Sequence, residues 1–120
     1  MPRDHRLRRR AEFLEVQRDG ERVHTRHFVV VLRRRDPPDA PSRIGVTVTK
    51  RVANAVGRNR VKRLVREVFR RNRPLFPDGC DVVIIAKSGA PLLGYAEVEE
   101  ELGRIRRRMA SILTPPQLSP

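Results

Sequence analysis

The residues best equipped for chemistry in this chain are cations, and they are concentrated in one stretch. Lys50 to Arg73, KRVANAVGRNRVKRLVREVFRRNR, holds ten Lys or Arg and one acid, Glu67, so it carries nine of the chain's thirteen net positive charges. Guanidinium forks at this density suit the charge-assisted holding of phosphate oxygens. The spacing sorts them. Val61, Leu64, Val65, Val68 and Phe69 recur at i, i+3, i+4, i+7 and i+8, which predicts a helix with one face in a core. At about 100° per residue, Asn59, Lys62, Arg63, Arg66 and Arg70 project to the other side. A charged helix face is ordinarily just solvated, but such faces mix their signs. Here Lys62/Arg66 and Arg66/Arg70 are like charges one turn apart, each costing an isolated helix a few tenths of a kcal/mol. Glu67 is placed to relieve this through Arg63 and Arg71. An outward face that costs stability argues for an anionic partner, nucleic acid before membrane.

No constellation for catalysis by protein side chains accompanies it. His5, His24 and His27 lack metal-ligand spacing, and Cys80 is the only cysteine. Asp78 and Asp81 flank the start of an apolar run, where turn acids are common, and converging carboxylates for a two-metal nuclease are missing. Phosphate-loop, dinucleotide and nucleophile-elbow motifs are absent as well.

The elements that must position the basic helix follow from patterning. At 120 residues the chain is one domain, able to bury roughly two-thirds of its unfolded surface. With 38% hydrophobic residues and five aromatics, the core is aliphatic. Residues 1–6 are expected to form a flexible basic arm, 7–113 the single domain and 114–120 a Pro-rich tail. Leu7 to Asp19 reads as a first helix stopped by Gly20, with Leu7, Leu14 and Ala11 as its core stripe and Phe13 offset from it. Val23 to Arg33 is a strand region that turns Phe28, Val30 and Leu32 to one face and His27, Val29 and Val31 to the other. Asp36 to Pro41 is a loop, and Arg43 to Thr49 a second strand with Ile44, Val46 and Val48 on one side. The short connection predicts that these two strands pair antiparallel. The basic helix begins near Ala55 to Arg58 and stops at Pro74 and Pro77. Asp81 to Lys87 is an unbroken apolar run, the pattern of a strand covered on both faces. Ser88 to Gly94 is a loop. One last helix, Tyr95 to Leu113, carries Val98, Leu102, Ile105, Met109 and Ile112, with acids early and arginines late to suit its dipole.

The balance of the chain narrows the setting. A net charge of +13 with pI ≈ 11.6 points to a polyphosphate partner. Arginines outnumber lysines 24 to 3, which suits phosphate but follows equally from codon bias. No apolar run approaches the 18 residues of a membrane helix, and no long apolar block follows the basic N-terminus as in a secretory signal. The cytoplasm is the expected compartment, with no membrane and no small-molecule substrate.

Val48 to Arg70, VTKRVANAVGRNRVKRLVREVFR, closely resembles the signature of the protein subunit of bacterial ribonuclease P, centred on Arg58-Asn59-Arg60, Val61-Lys62-Arg63 and Arg66-Glu67. Leu7 to Gly20, with Glu12-Phe13, and the strand Asp81 to Ala86 fit in the same order, so the likeness covers roughly residues 7 to 113. The resemblance implies an α/β (α+β) two-layer sandwich in the order α-β-β-β-α-β-α. It implies a four-stranded sheet, a left-handed crossover through the basic helix, and a short extra strand near Val23 to His24. It implies a ribonucleoprotein endonuclease in which a catalytic RNA removes the 5′ leader of precursor tRNA. The protein would bind that RNA and the leader and bind no cofactor by itself, with Mg²⁺ expected for the RNA–protein holoenzyme.

Carried over by position, the RNA-subunit-binding set is Lys50, Arg51, Arg58, Asn59, Arg60, Lys62, Arg63, Arg66 and Arg70. The leader cleft is Phe13, Gln17, Val29, Val31, Thr47 and Thr49. Gln17 and Val31 stand where family members often carry aromatics, which implies weaker base stacking. A structural ribosomal-RNA-binding protein is the alternative reading, and a stand-alone nuclease the third.

Overall fold

A computed structural model of the chain describes residues 6–35, 40–73, 76 and 79–113; most of the Asp36 to Pro41 loop, the 114–120 tail and Pro74 and Pro77 fall outside them. Four strands, β1 (Glu21–His24), β2 (Phe28–Arg34), β3 (Arg43–Thr47) and β4 (Cys80–Ala86), form one sheet in the order β1-β2-β4-β3. Helix α1 (Arg10–Asp19) precedes them, α2 (Ala55–Arg71) joins β3 to β4, and α3 (Tyr95–Gly103) and α4 (Arg106–Leu113) follow a 3-10 turn at Ala90–Leu92. The family order is therefore present, with the short extra strand as β1.

The pairing differs from the antiparallel β2–β3 neighbours predicted from the short loop. β4 lies between them, antiparallel to β2 and parallel to β3. The physical reason is in β4 itself. CDVVIIA is apolar on both faces and six of its seven residues are buried, so it needs a neighbour on each side. The more polar β1 and β3 take the edges.

Strand parity divides the interior in two. Phe28, Val30, Leu32, Ile44, Val46, Val82 and Ile84 face the main core, where α2 adds Val61, Val65, Val68 and Phe69 and the last helices add Val98, Leu102 and Met109. The opposite face carries a smaller cluster, Leu7, Val16, Val31 and Val83, with Phe13, Val29 and Ile85 packed against it. Burying the main cluster at about 25 cal/mol per Å² supplies most of the driving force for folding.

Two helices depart from expectation. α1 begins at Arg10, not Leu7, because Arg6 and Leu7 run extended along β3: Arg6 bridges Ile44 in parallel and the Leu7 N–H donates to the Ile44 carbonyl at 2.9 Å. Counting the helical stripe from Leu7 therefore gives the wrong phase. Leu14 and Ala11 are exposed, while Val16 and the half-buried Phe13 face the sheet. The last helix is two, broken at Arg104 and Ile105. Its apolar stripe survives the break: Val98, Leu102 and Met109 are buried, and Ile105 and Ile112 pack beside them.

Candidate nucleic-acid interface

Helix α2 is fixed before it presents anything. The Asn54 side chain caps it by accepting from the Gly57 N–H at 2.9 Å. At the other end, Asn72 Nδ2 donates to the Val68 carbonyl and to the Tyr95 hydroxyl, at 2.9 and 3.0 Å. Val61, Val65, Val68 and Phe69 hold one side in the core. The opposite side then has no freedom to turn away.

The cations singled out in the sequence fall into three groups. Lys50 and Arg51 are exposed in the turn between β3 and α2. Arg58, Arg60 and Arg70 are occupied within the protein. Arg58 donates to the Ala53 carbonyl at 3.0 Å. Arg60 reaches the carbonyls of Pro91 and Leu93 at 2.7 and 3.0 Å and so ties α2 to the turn after β4. Arg70 shares the Glu67 carboxylate with Arg71. Glu67 thus serves Arg70 and Arg71, not Arg63 and Arg71 as its spacing suggested. A carboxylate pairs better with cations C-terminal to it on a helix, which favours the two later arginines.

Asn59, Lys62, Arg63 and Arg66 form the third group, with no hydrogen-bond or carboxylate partner among the described residues. Asn59 and Arg63 are exposed, Lys62 and Arg66 half-buried. Burial, and then the nearby Arg6, push the Arg66 guanidinium below its ordinary pKa. An arginine so placed still carries its charge at neutral pH. An open concavity of ≈ 800 Å³ runs along this side of α2, and Arg6 stands at its wall.

A second surface lies on the other face of the sheet, where α1 covers some rows and leaves one open. The register sets Arg33, Asp81 and Arg43 in one row; Arg22, Val31, Val83 and Gly45 in the next; and His24, Val29, Ile85 and Thr47 in a third. α1 is anchored over the first two. Arg43 grips Asp81 through two bonds of 2.8 Å and reaches Glu12 of α1 at 2.9 Å. Burial pushes the Glu12 carboxyl up. The N–H groups of Arg9 and Arg8 and the Arg43 guanidinium outweigh it and hold Glu12 below the usual carboxylate range. Phe13 lies over Gly45, where an added Cβ would come within 2.4 Å of the ring. Only glycine in that strand position lets the helix approach so closely.

The predicted leader-cleft residues therefore separate. Val31 is fully buried beneath α1 and is not open to a ligand as it stands. Phe13 and Gln17 are half-buried on α1, Val29 and Thr47 are half-buried in the third row, and Thr49 is exposed past the end of β3. Sequence reasoning missed Ile85 and His24, which share the open row with Val29 and Thr47, and Arg22 next to them. Parity along β4 marks Ile85. His24 needs the β1–β2 register, which the sequence does not print.

No three His, Cys, Asp or Glu side chains among the described residues converge to hold a metal ion. Among the described residues the donors do not fit a Mg²⁺ centre. No helix among the described residues is long and apolar enough to cross a membrane.

Known proteins share this arrangement. The family model described as Ribonuclease P matches residues 1–110. The ribonuclease P protein component of Syntrophus aciditrophicus is 45% identical over 103 residues, covering 86% of this chain and 85% of the relative. That of Desulfovibrio desulfuricans is 45% identical over 112 residues, covering 92% and 86%. Among solved structures, the Thermotoga maritima RNase P protein superposes with TM-score 0.76 at 34% identity, covering 86% of this chain and 96% of that one. The Staphylococcus aureus RNase P protein gives TM-score 0.76 at 27% identity, covering 92% and 98%. With a family match over nearly its whole length and relatives this similar, the chain belongs to the ribonuclease P protein family.

Proposed function

We propose that this chain is the protein subunit of a ribonuclease P, and that it assists a catalytic RNA in removing the 5′ leader from precursor tRNA. The observation that carries the reading is the one-sided α2. Its apolar side is locked into the core, and its other side holds Lys62, Arg63 and Arg66 outward with no carboxylate partner among the described residues. Such a face gains most from the phosphates of a folded RNA, which replace the missing counter-charges.

In this reading the labour divides by surface. Asn59, Lys62, Arg63 and Arg66, with Lys50 and Arg51 beside the helix start, contact the RNA subunit. Arg58, Arg60 and Arg70 keep the helix in place through the internal bonds described above and add positive potential. The open row of His24, Val29, Ile85 and Thr47, next to α1, receives the single-stranded leader. Val29 and Ile85 give its bases an apolar floor, and Thr47 offers a hydroxyl to the backbone. Hydrolysis itself falls to the RNA, with Mg²⁺ held there, in the cytoplasm where precursor tRNA is made.

Reconstitution tests this. The purified chain, mixed with a bacterial ribonuclease P RNA at low Mg²⁺, should restore cleavage of a labelled precursor tRNA at its mature 5′ end, and should cut nothing by itself. Absence of any acceleration over the RNA alone, or cleavage by the protein without RNA, would overturn the proposal.

A further inference from the structure

The N-terminal segment was expected to be a loose arm up to residue 6, yet Arg6 is held by its backbone. The bridge from Arg6 to Ile44 and the Leu7 N–H bond to the Ile44 carbonyl lay this segment along the outer edge of β3. Leu7 drives it there by burying its side chain, 4% exposed, in the smaller core cluster. Arg66 is held just as firmly from the other side, between the buried Val65 and Val68 of α2. Both arginines line one concavity, with Asn59, Arg63 and Arg70, and are near enough for Arg6 to act on the Arg66 charge.

That concavity is unbalanced. Among the described residues its one acid is Glu67, already shared by Arg70 and Arg71. Neither Arg6 nor Arg66 has a carboxylate partner among the described residues. Partial burial removes water from Arg66 and supplies nothing in return, and its depressed pKa records both that loss and the repulsion from Arg6. Two exposed arginines in this position would swing apart. Here a β-bridge and a buried helix face keep their stems close.

We propose that Arg6 and Arg66 form a two-guanidinium clamp for one phosphodiester of bound RNA, entered through the concavity between the N-terminal segment and α2. Each planar fork can give two parallel N–H bonds to phosphate oxygens, so an anion set between them satisfies both at once. Asn59 and Arg63, on the same wall, extend the contact to neighbouring groups of the same strand. The inference rests on the RNA-subunit role proposed above and adds a residue from outside the basic helix to that contact.

The test uses the full chain and the ribonuclease P RNA of the reconstitution. RNA affinity is measured at several salt concentrations for the parent, Arg6→Gln, Arg66→Gln, the double variant, Arg6→Lys and the exposed control Arg107→Gln. Urea unfolding of each free protein runs in parallel. Each single Gln variant should weaken RNA binding by about tenfold, as for one lost charge-assisted contact, and lower the salt slope by about one. The double variant should be little worse than either single one, because a clamp needs both jaws. Arg6→Lys should recover the slope but only part of the affinity, since it keeps the charge and loses the fork. The free Gln variants should unfold at the same urea concentration as the parent or higher, because one of two like charges has gone. Parent-like RNA binding by Arg6→Gln would overturn the clamp, as would a free Arg6→Gln protein that unfolds earlier. So would Gln variants that bind RNA like the parent but lose only the stabilisation seen when the urea unfolding is repeated with inorganic phosphate, which would mark a free-anion site. A parent protein that fails to bind the RNA at all would instead defeat the subunit reading itself.

Discussion

Glu101 shows how much a single residue can hide. The acids Glu97, Glu99, Glu100 and Glu101 were expected to serve the dipole of the last helix. Glu97 does so, accepting from the Gly94 N–H at 3.0 Å, and Glu100 pairs with Arg104. Glu101 instead crosses to the β1–β2 turn, where its carboxylate accepts from the His27 backbone N–H at 2.8 Å, from the Thr25 hydroxyl, and meets His27 Nδ1 at 2.7 Å. Burial raises its pKa, but the bonds from His27 and Thr25 outweigh it and hold the group below the usual carboxylate range. A depressed carboxylate stabilises the fold above its unfolded pKa, and that contribution is lost as pH falls through the folded value. Glu101→Gln should therefore flatten the acid limb of stability, losing less than the parent between pH 7 and pH 3 in urea unfolding. Glu101→Ala at pH 7 should cost about 1.5–3 kcal/mol, the range for hydrogen bonds to a charged group. An acid limb identical in Glu101→Gln and the parent would refute the assignment. None of this was legible beforehand, because the partners lie 74 and 76 residues away in sequence. Phe13 and Leu14 teach the same lesson at shorter range. A stripe counted from Leu7, which lies outside the helix, exchanges the inward Phe13 and the outward Leu14.

At the scale of elements, legibility followed periodicity. α2 was readable because its seventeen residues repeat one apolar stripe, while the Asn54 cap that starts it emerged only from the structure. The strands were readable individually, by alternation in β3 and by the unbroken run in β4. Their neighbours were not, since chain proximity favoured β2 beside β3 while burial placed β4 between them. β1 is four residues long with one buried side chain, Val23, too short to announce itself by pattern. Yet β1 completes the open row, because His24 stands opposite Val29. It is an exposed ring on a face whose other ring, Phe13, is pressed against Gly45. On the proposed reading a leader base stacks there, and stacking on aromatics contributes ~1–3 kcal/mol per base. His24→Ala should weaken binding of precursor tRNA about fivefold or more, and His24→Phe should hold or improve it, the range following from that stacking energy. Leaderless tRNA should bind all three alike. Equal losses with and without the leader would remove His24 from the cleft.

Over the whole molecule, charge is the organising quantity, and it was the most legible of all. A net +13 on 120 residues repels itself, and the structure relieves this locally: Arg43 lies between Glu12 and Asp81, and Arg33 reaches Glu15. Those pairs gather around α1 and the sheet. On α2 the relief stops at Glu67, so the unneutralised cations accumulate on the side facing away from the core. An excess left on one side has a measurable consequence. Each phosphate neutralised releases condensed counterions, so log affinity falls linearly with log salt, with a slope of about −0.7 per contact for single strands and −0.9 for duplex. Lys62→Ala with Arg63→Ala should therefore make the salt slope about 1.4–1.8 units shallower if both residues touch phosphate. The same double variant should fold with stability within about 0.5 kcal/mol of the parent per site, because neither side chain has an internal partner to lose. The two measurements together separate the explanations. An unchanged slope with an intact fold would make these cations solvated surface. A lowered stability would make them part of the scaffold. A shallower slope at unchanged stability is the outcome required of a rigid helix whose charges are balanced only when RNA is bound.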